Sequence, residues 1–185
     1  VSTDYVFNGL KKEPYTETDL PDPIGIYGIT KLNGEKSVAE ILPRHIIVRT
    51  AWVYGVNGKN FVKTMLNLGK DREELRVVSD QIGCPTYSAD LAGAILTAAE
   101  RSEGIRKTDS LEMGRGISAN VDDSRSKEGI IWGTYHYCGS GKTTWHGFAE
   151  AIFEEAGKYE DFKVKKIHSI TTEEYPTLAK RPASS

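Results

Sequence analysis

Cysteine is scarce in this chain: Cys84 and Cys138 stand alone and far apart among 185 residues. That excludes a disulfide framework and a thiolate metal site. Such thiols suit a reducing compartment, and a cytoplasmic location is expected. An excess of charge is missing too, since 24 Lys and Arg against 26 Asp and Glu leave a net charge of −2. The basic footprint of a nucleic-acid binder and a polybasic membrane patch are both ruled out, so neither kind of partner is expected. No apolar run approaches the roughly 20 residues that span a bilayer. The four histidines, His45, His136, His146 and His168, lack metal-ligand spacing, and no metal is expected. What remains is a globular composition, 38% hydrophobic and 27% charged, with room for a real core.

Val1 to Phe7 is β-branched and aromatic before Asn8-Gly9 breaks it, which predicts a buried strand ending in a turn. The polar stretch 10–23 holds Pro14, Pro21 and Pro23 and predicts a surface loop. A helix is expected from about Tyr27 to Leu42, stopped by Pro43, then a strand over 45–53. Phe61, Met65 and Leu68 mark a second helix ended by Gly69, followed by a strand over 75–79. Leu91, Ile95 and Ala98 mark a third helix, and 134–138 is a further strand. Trp145, Phe148, Ala149, Ile152, Phe153 and Ala156 form one apolar stripe of a helix ended by Gly157. Thr171 to Glu174 has the form of a capping box for a short last helix. Alternating strands and helices predict an α/β protein with a mainly parallel sheet. Residues 101–131 are polar and aperiodic, and a flexible insertion is expected there.

Two residues four apart, Tyr27 and Lys31, carry the first chemical signal. On a helix that spacing puts both side chains on one face. An ammonium beside a phenol favours the phenolate and suits the pair to proton transfer with a substrate oxygen. The bland reading is a solvated helical pair. Upstream, Thr3 stands near the carboxyl end of the first strand, the edge where open α/β sheets bind ligands. Its hydroxyl either joins Tyr27 at a substrate oxygen or merely caps a turn. Trp52, at the carboxyl end of the 45–53 strand, is a core residue or a ligand platform. Asp80 to Thr86 is a loop over substrate or a structural turn. Gly139-Ser140-Gly141-Lys142-Thr143-Thr144 imitates the end of a phosphate-binding loop, but the first glycine such a loop needs is replaced by His136. Those glycines make a turn, with Thr143 or Thr144 as the helix N-cap.

Ser2-Thr3-Asp4-Tyr5-Val6-Phe7, Tyr27-Gly28-x-x-Lys31 and Arg49-Thr50-x-Trp52-Val53-Tyr54-Gly55 resemble the extended short-chain dehydrogenase/reductase superfamily. Asp80-Gln81-x-Gly83-x-Pro85-Thr86, Gly133-Thr134-Tyr135-His136 and Gly139-x-Gly141-x-Thr143-x-Trp145 narrow the resemblance to its dTDP-4-dehydrorhamnose reductase family. The resemblance implies the C-terminal part of a Rossmann-type parallel-sheet domain interleaved with a smaller α/β substrate-binding domain. Residues 1–55, 88–100 and 134–139 would belong to the first, 56–87 and 140–185 to the second. It implies Tyr27 as proton donor, Lys31 as its partner and holder of the nicotinamide ribose, and Thr3 tuning the tyrosine. Thr3 and Asp4 would contact the sugar and Trp52 would pack on the sugar nucleotide. The implied reaction is reduction of the C4 carbonyl of dTDP-4-dehydro-L-rhamnose with NADPH or NADH, a dTDP-sugar being the partner and a homodimer left open.

Other readings of the same resemblance are an epimerase or dehydratase of nucleotide sugars, or a silent regulatory subunit like the methionine adenosyltransferase β subunit. A dehydratase would want an acidic pair, and Thr3-Asp4 supplies one carboxylate. The departure from the pattern is the glycine-rich pyrophosphate turn, which is absent near Val1. The expectation is an interior piece of a longer protein, with the cofactor's main cradle elsewhere and little cofactor affinity of its own.

Overall fold

The computed structural model of the chain describes residues 1–103, 132–175, 177 and 181–184. Its organising strand is β2 (Ile46–Thr50). β1 (Ser2–Thr3) pairs with it in parallel through Ser2↔Arg49 and Thr3↔Thr50. β7 (Gly133–His136) pairs in parallel on its other side, from Ile46↔Gly133 to Arg49↔His136. The order β1-β2-β7 unites the three segments expected to share a sheet. A strand paired on both edges is buried along its length, and that explains the β-branched run Ile46-Ile47-Val48. Arg49 is the exception. Only 7% exposed, it is neutralised by Glu35 of α1 (Ile26–Ile41), with Nε 3.0 Å from Oε1 and Nη2 2.6 Å from Oε2. α1 stops two residues before Pro43, as expected.

A second unit is built on β4 (Glu74–Val78) and β9 (Lys166–Ile170), parallel partners over five residue pairs. α2 (Phe61–Asp71) and α4 (Trp145–Ala156) cover it, closing Met65, Leu75, Val77, Ala149 and Ile152 into one apolar cluster. Asn60 caps α2 through Lys63 N, and Thr144 caps α4 through Gly147 N. Between the units lie two short ladders. β3 (Val53–Tyr54) runs parallel to β6 (Thr86–Tyr87), and β5 (Ile82–Gly83) antiparallel to β8 (Thr143–Thr144). α3 (Ser88–Glu103) follows β6 directly. The expected α/β class with mainly parallel pairing is what is found.

Four local expectations are corrected. The first strand is not Val1–Phe7: after Thr3 the chain turns into a 3-10 helix at Asp4–Val6, because the Thr3 hydroxyl takes the Tyr5 N–H. The strand over 45–53 ends at Thr50, because Trp52 adopts φ +50° and turns the chain into β3. Gly69 does not end α2. It lies inside the helix where a Cβ would stand 2.3 Å from the Phe153 ring, so it permits close helix packing. The capping-box bonds of Thr171 and Glu174 form, but they close a turn, and residues 172–175 are not helical. The proposed insertion at 101–131 falls outside the described residues from 104 onward.

Candidate active site

Thr3 is buried at the end of β1, and its hydroxyl has two local duties. It accepts from Tyr5 N at 3.3 Å and donates to Asp4 Oδ1 at 2.9 Å. The hydroxyl therefore does cap a turn, and in doing so fixes the Asp4 carboxylate beside it. Tyr27 is the second residue of α1 and is 55% exposed. Its ring meets the edge of Tyr5 at 5.5 Å and 82°. Gly28 makes this junction feasible: a Cβ there would stand 2.0 Å from the Tyr5 carbonyl oxygen. The helix can press its first turn onto the 3-10 turn only because residue 28 has no side chain. Lys31, one turn on, donates its Nζ to the Val1 carbonyl at 2.8 Å. Thr3, Asp4, Tyr27 and Lys31 are thus gathered where β1 ends and α1 begins.

Tyr5 is a member of this group that sequence reasoning did not single out. Its phenol is pushed above the ordinary range by burial, with the Asp4 carboxylate and Tyr27 adding to the rise and Arg181 opposing it. Arg181 arrives from the far end of the chain. The Ile82 N–H donates to Ala183 O at 2.9 Å, and Gly9, at φ +77°, lies against Pro182 and Ala183. No local pattern could have announced that approach.

Trp52 stands apart from the tyrosine pair and joins the second unit. Its indole stacks on Trp145 with centroids 3.6 Å apart and planes within 12°. Trp145 in turn lines an open cavity of about 1100 Å³ with Phe61, Gln81, Tyr175 and Arg181. The cavity does not include Tyr27, Lys31 or Thr3. Its contact with their neighbourhood is Arg181, the residue whose charge reaches Tyr5. Asp80 and Gln81 serve structure: the Asp80 carboxylate takes the Thr172 N–H and hydroxyl, and Gln81 bridges Trp145 and Thr172. Among the described residues no three His, Cys, Asp or Glu side chains cluster as a metal site would require, and no helix is long and apolar enough to cross a membrane.

The sequence profile of the RmlD substrate binding domain matches residues 1–185. The chain belongs to the RmlD substrate binding domain family. A dTDP-4-dehydrorhamnose reductase of Aggregatibacter actinomycetemcomitans is 43% identical over 186 residues, covering 100% of this chain and 56% of the relative. Among solved structures, the dTDP-4-dehydrorhamnose reductase of Bacillus anthracis in complex with NADP matches with a TM-score of 0.79 and 40% identity. That match covers 99% of this chain and 53% of the other. The enzyme of the same name from Clostridium acetobutylicum matches with a TM-score of 0.79 and 42% identity, over 100% of this chain and 54% of its own. This RmlD-family chain therefore spans about half the length of the relatives it matches.

Proposed function

We propose that this chain supplies the substrate-binding and proton-donating part of an NAD(P)H-dependent reductase. The substrate is dTDP-4-dehydro-L-rhamnose, whose C4 keto group becomes the hydroxyl of dTDP-L-rhamnose. The observation that carries the reading is the junction of Tyr27 with the Thr3–Tyr5 turn through Gly28, in a chain 43% identical to a reductase of that name. Tyr27 is exposed enough to meet a substrate oxygen and donates the proton that oxygen needs as it becomes an alkoxide. Thr3 holds Asp4 at the turn and tunes the tyrosine, and both contact the sugar. Trp52 packs on the sugar nucleotide.

The residues present fit the nicotinamide end of NADPH or NADH. An ammonium has three donors, and the Lys31 bond to Val1 leaves others for ribose hydroxyls, on the helix turn that follows the exposed Tyr27. The bound reduced nicotinamide supplies the hydride; this chain orients the ketone and provides the proton. On the same reading residues 1–55, 88–100 and 134–139 belong to the cofactor-binding part, and 56–87 and 140–185 to the substrate-binding part. The enzyme acts in the cytoplasm on a dTDP-sugar without nucleic acid.

The test uses a full-length protein carrying these residues and follows NADPH oxidation that depends on dTDP-4-dehydro-L-rhamnose. Tyr27→Phe is expected to lower kcat by about 10²-fold or more. Unchanged turnover in that variant would refute the assigned proton donor. Absence of any turnover in the unaltered protein would favour a silent regulatory subunit.

A further inference from the structure

Among the described residues, Trp52 is held in an uncommon backbone conformation. It is the non-glycine residue with positive φ among those described, at +50°, a region that bulky side chains avoid unless their surroundings impose it. Two contacts impose it here. Its carbonyl accepts from Thr86 N at 3.2 Å, and its indole lies flat on that of Trp145.

Trp145 is in contrast firmly fixed. It opens α4 directly after the Thr144 cap, where the helix start is tied by Gly147 N to Thr144 Oγ1 at 3.0 Å. Its Nε1 donates to Gln81 Oε1 at 3.1 Å, and Phe61 packs at 4.6 Å between centroids. Gln81 is only 6% exposed and is held in turn, its Nε2 donating to Thr172 Oγ1 at 3.0 Å. The Thr172 hydroxyl is anchored by Asp80 at 2.7 Å. A chain of contacts therefore runs from Asp80 through Thr172, Gln81 and Trp145 to Trp52. It crosses from the β4–β9 unit to the carboxyl end of the β2 sheet.

We infer that Trp145, oriented by Gln81, is a positioning residue that holds the Trp52 indole as the platform for the sugar nucleotide. The inference rests on the reading of Trp52 given above. A single buried amide sets the angle of one indole, and that indole sets the angle of the next. Gln81 suits the task because its oxygen takes the indole N–H while its nitrogen is spent on Thr172, which forbids the flipped amide. The effect is on binding of the nucleotide sugar, not on proton transfer at Tyr27.

The experiment uses a full-length protein carrying these residues and compares Trp52→Leu, Trp145→Leu, Trp145→Phe and Gln81→Leu. It reads KM for dTDP-4-dehydro-L-rhamnose and kcat separately, together with the near-ultraviolet circular dichroism of the coupled indoles. Trp145→Leu and Gln81→Leu are expected to raise KM about tenfold with kcat held within about twofold, the mark of lost ground-state positioning. Trp145→Phe, which keeps a ring to stack on, should recover part of the loss. The coupled indole signal should vanish equally in Trp52→Leu and Trp145→Leu.

If Trp52→Leu raises KM while Trp145→Leu and Gln81→Leu do not, the inference falls and the reading of Trp52 stands. If Trp52→Leu leaves KM unchanged, both fall together. Should Trp145→Leu fail to fold, Gln81→Leu decides, because it keeps both indoles: a KM at the unaltered value overturns the inference.

Discussion

In the β4–β9 unit the buried apolar residues are Met65, Leu75, Val77, Val78, Ala149, Ile152 and Ile170. Phe61, Phe148, Phe153 and other apolar side chains pack against the cluster of Met65, Leu75, Val77, Ala149 and Ile152. Around β2 the buried set is mixed: Ser2, Thr3, Glu35, Arg49 and Thr50 are buried beside Val6, Phe7, Leu32, Ile47, Val48 and Ala51. Apolar closure is non-directional and tolerates adjustment. Polar burial succeeds only when each group finds its partner. Arg49 and Glu35 find one another, whereas the buried hydroxyls of Ser2 and Thr50 have no partner among the described residues. The unit that presents Tyr27, Lys31 and Thr3 is thus the more demanding of the two. A site that must hold a hydroxyl, a carboxylate and an ammonium at a strand end cannot also be a simple hydrocarbon core.

The contrast can be broken at Arg49. Arg49→Met should cost about 4 kcal/mol, because it strands the Glu35 carboxylate in a buried site. Hydrogen exchange should then show α1 and β2 losing protection while β4 and β9 keep theirs. Adding Glu35→Leu should restore most of the loss, since the pair removed together leaves no orphan charge. A single variant as stable as the unaltered protein would mean that the ion pair is ornamental and the contrast unfounded.

Ile152→Ala probes the other side. Removing a side chain that is 8% exposed in a packed cluster should cost about 3 kcal/mol and open β4 and β9 first. Denaturant titration gives the figure, and amide exchange the location. Thr144→Ala removes the hydroxyl that caps α4 and should cost about 1 kcal/mol, confined to the helix start. Loosened exchange at Trp145 to Phe148 is the expected sign; protection lost evenly across α4 would count against a cap.

The smallest effect separates the units by pH. Burial pulls the His136 imidazole below its ordinary 6.5, against the opposing pull of the Glu17 carboxylate. Burial pushes Glu17 up, but the His136 N–H at 2.9 Å, with the nearby His136 and Arg49 charges, leaves it below its ordinary 4.5. Both groups bind protons more readily unfolded than folded, so both favour the fold at higher pH. The tie between loop 10–23 and β7 should weaken as pH falls below 6.5 and weaken again below 4.5. His136→Phe should abolish the first step and leave the second. A first step that persists in this variant would assign it to another group.

Much of the fold was legible because it is written within a few residues. Tyr27 and Lys31 share a helix face, Pro43 stops α1, and Thr144 caps α4, each from spacing or side-chain chemistry alone. The stripe from Trp145 to Ala156 announced α4 correctly. The same stripe concealed the part Trp145 plays, since an indole on an apolar face looks like any other core residue. β9 escaped notice because Lys166-Ile167-His168-Ser169-Ile170 is half polar and earns its place only by pairing with β4 about ninety residues earlier. Trp52 gave no warning of its left-handed backbone, which no tryptophan would choose in isolation.

By itself the sequence determined the α/β class, the helix carrying Tyr27 and Lys31, and the presence of a hydroxyl, a carboxylate and an indole at nearby strand ends. These follow from periodicity, caps and breakers, whose physics acts over a turn of helix or a pair of strand residues. The tertiary structure alone decided that Gly28 lets Tyr27 rest against Tyr5. It alone brought Arg181 toward that tyrosine and laid Trp52 on Trp145 under the control of Gln81. Contacts of this kind join residues far apart in the chain. They exist only after loop closure has been offset by the packing of whole elements, which no local window records.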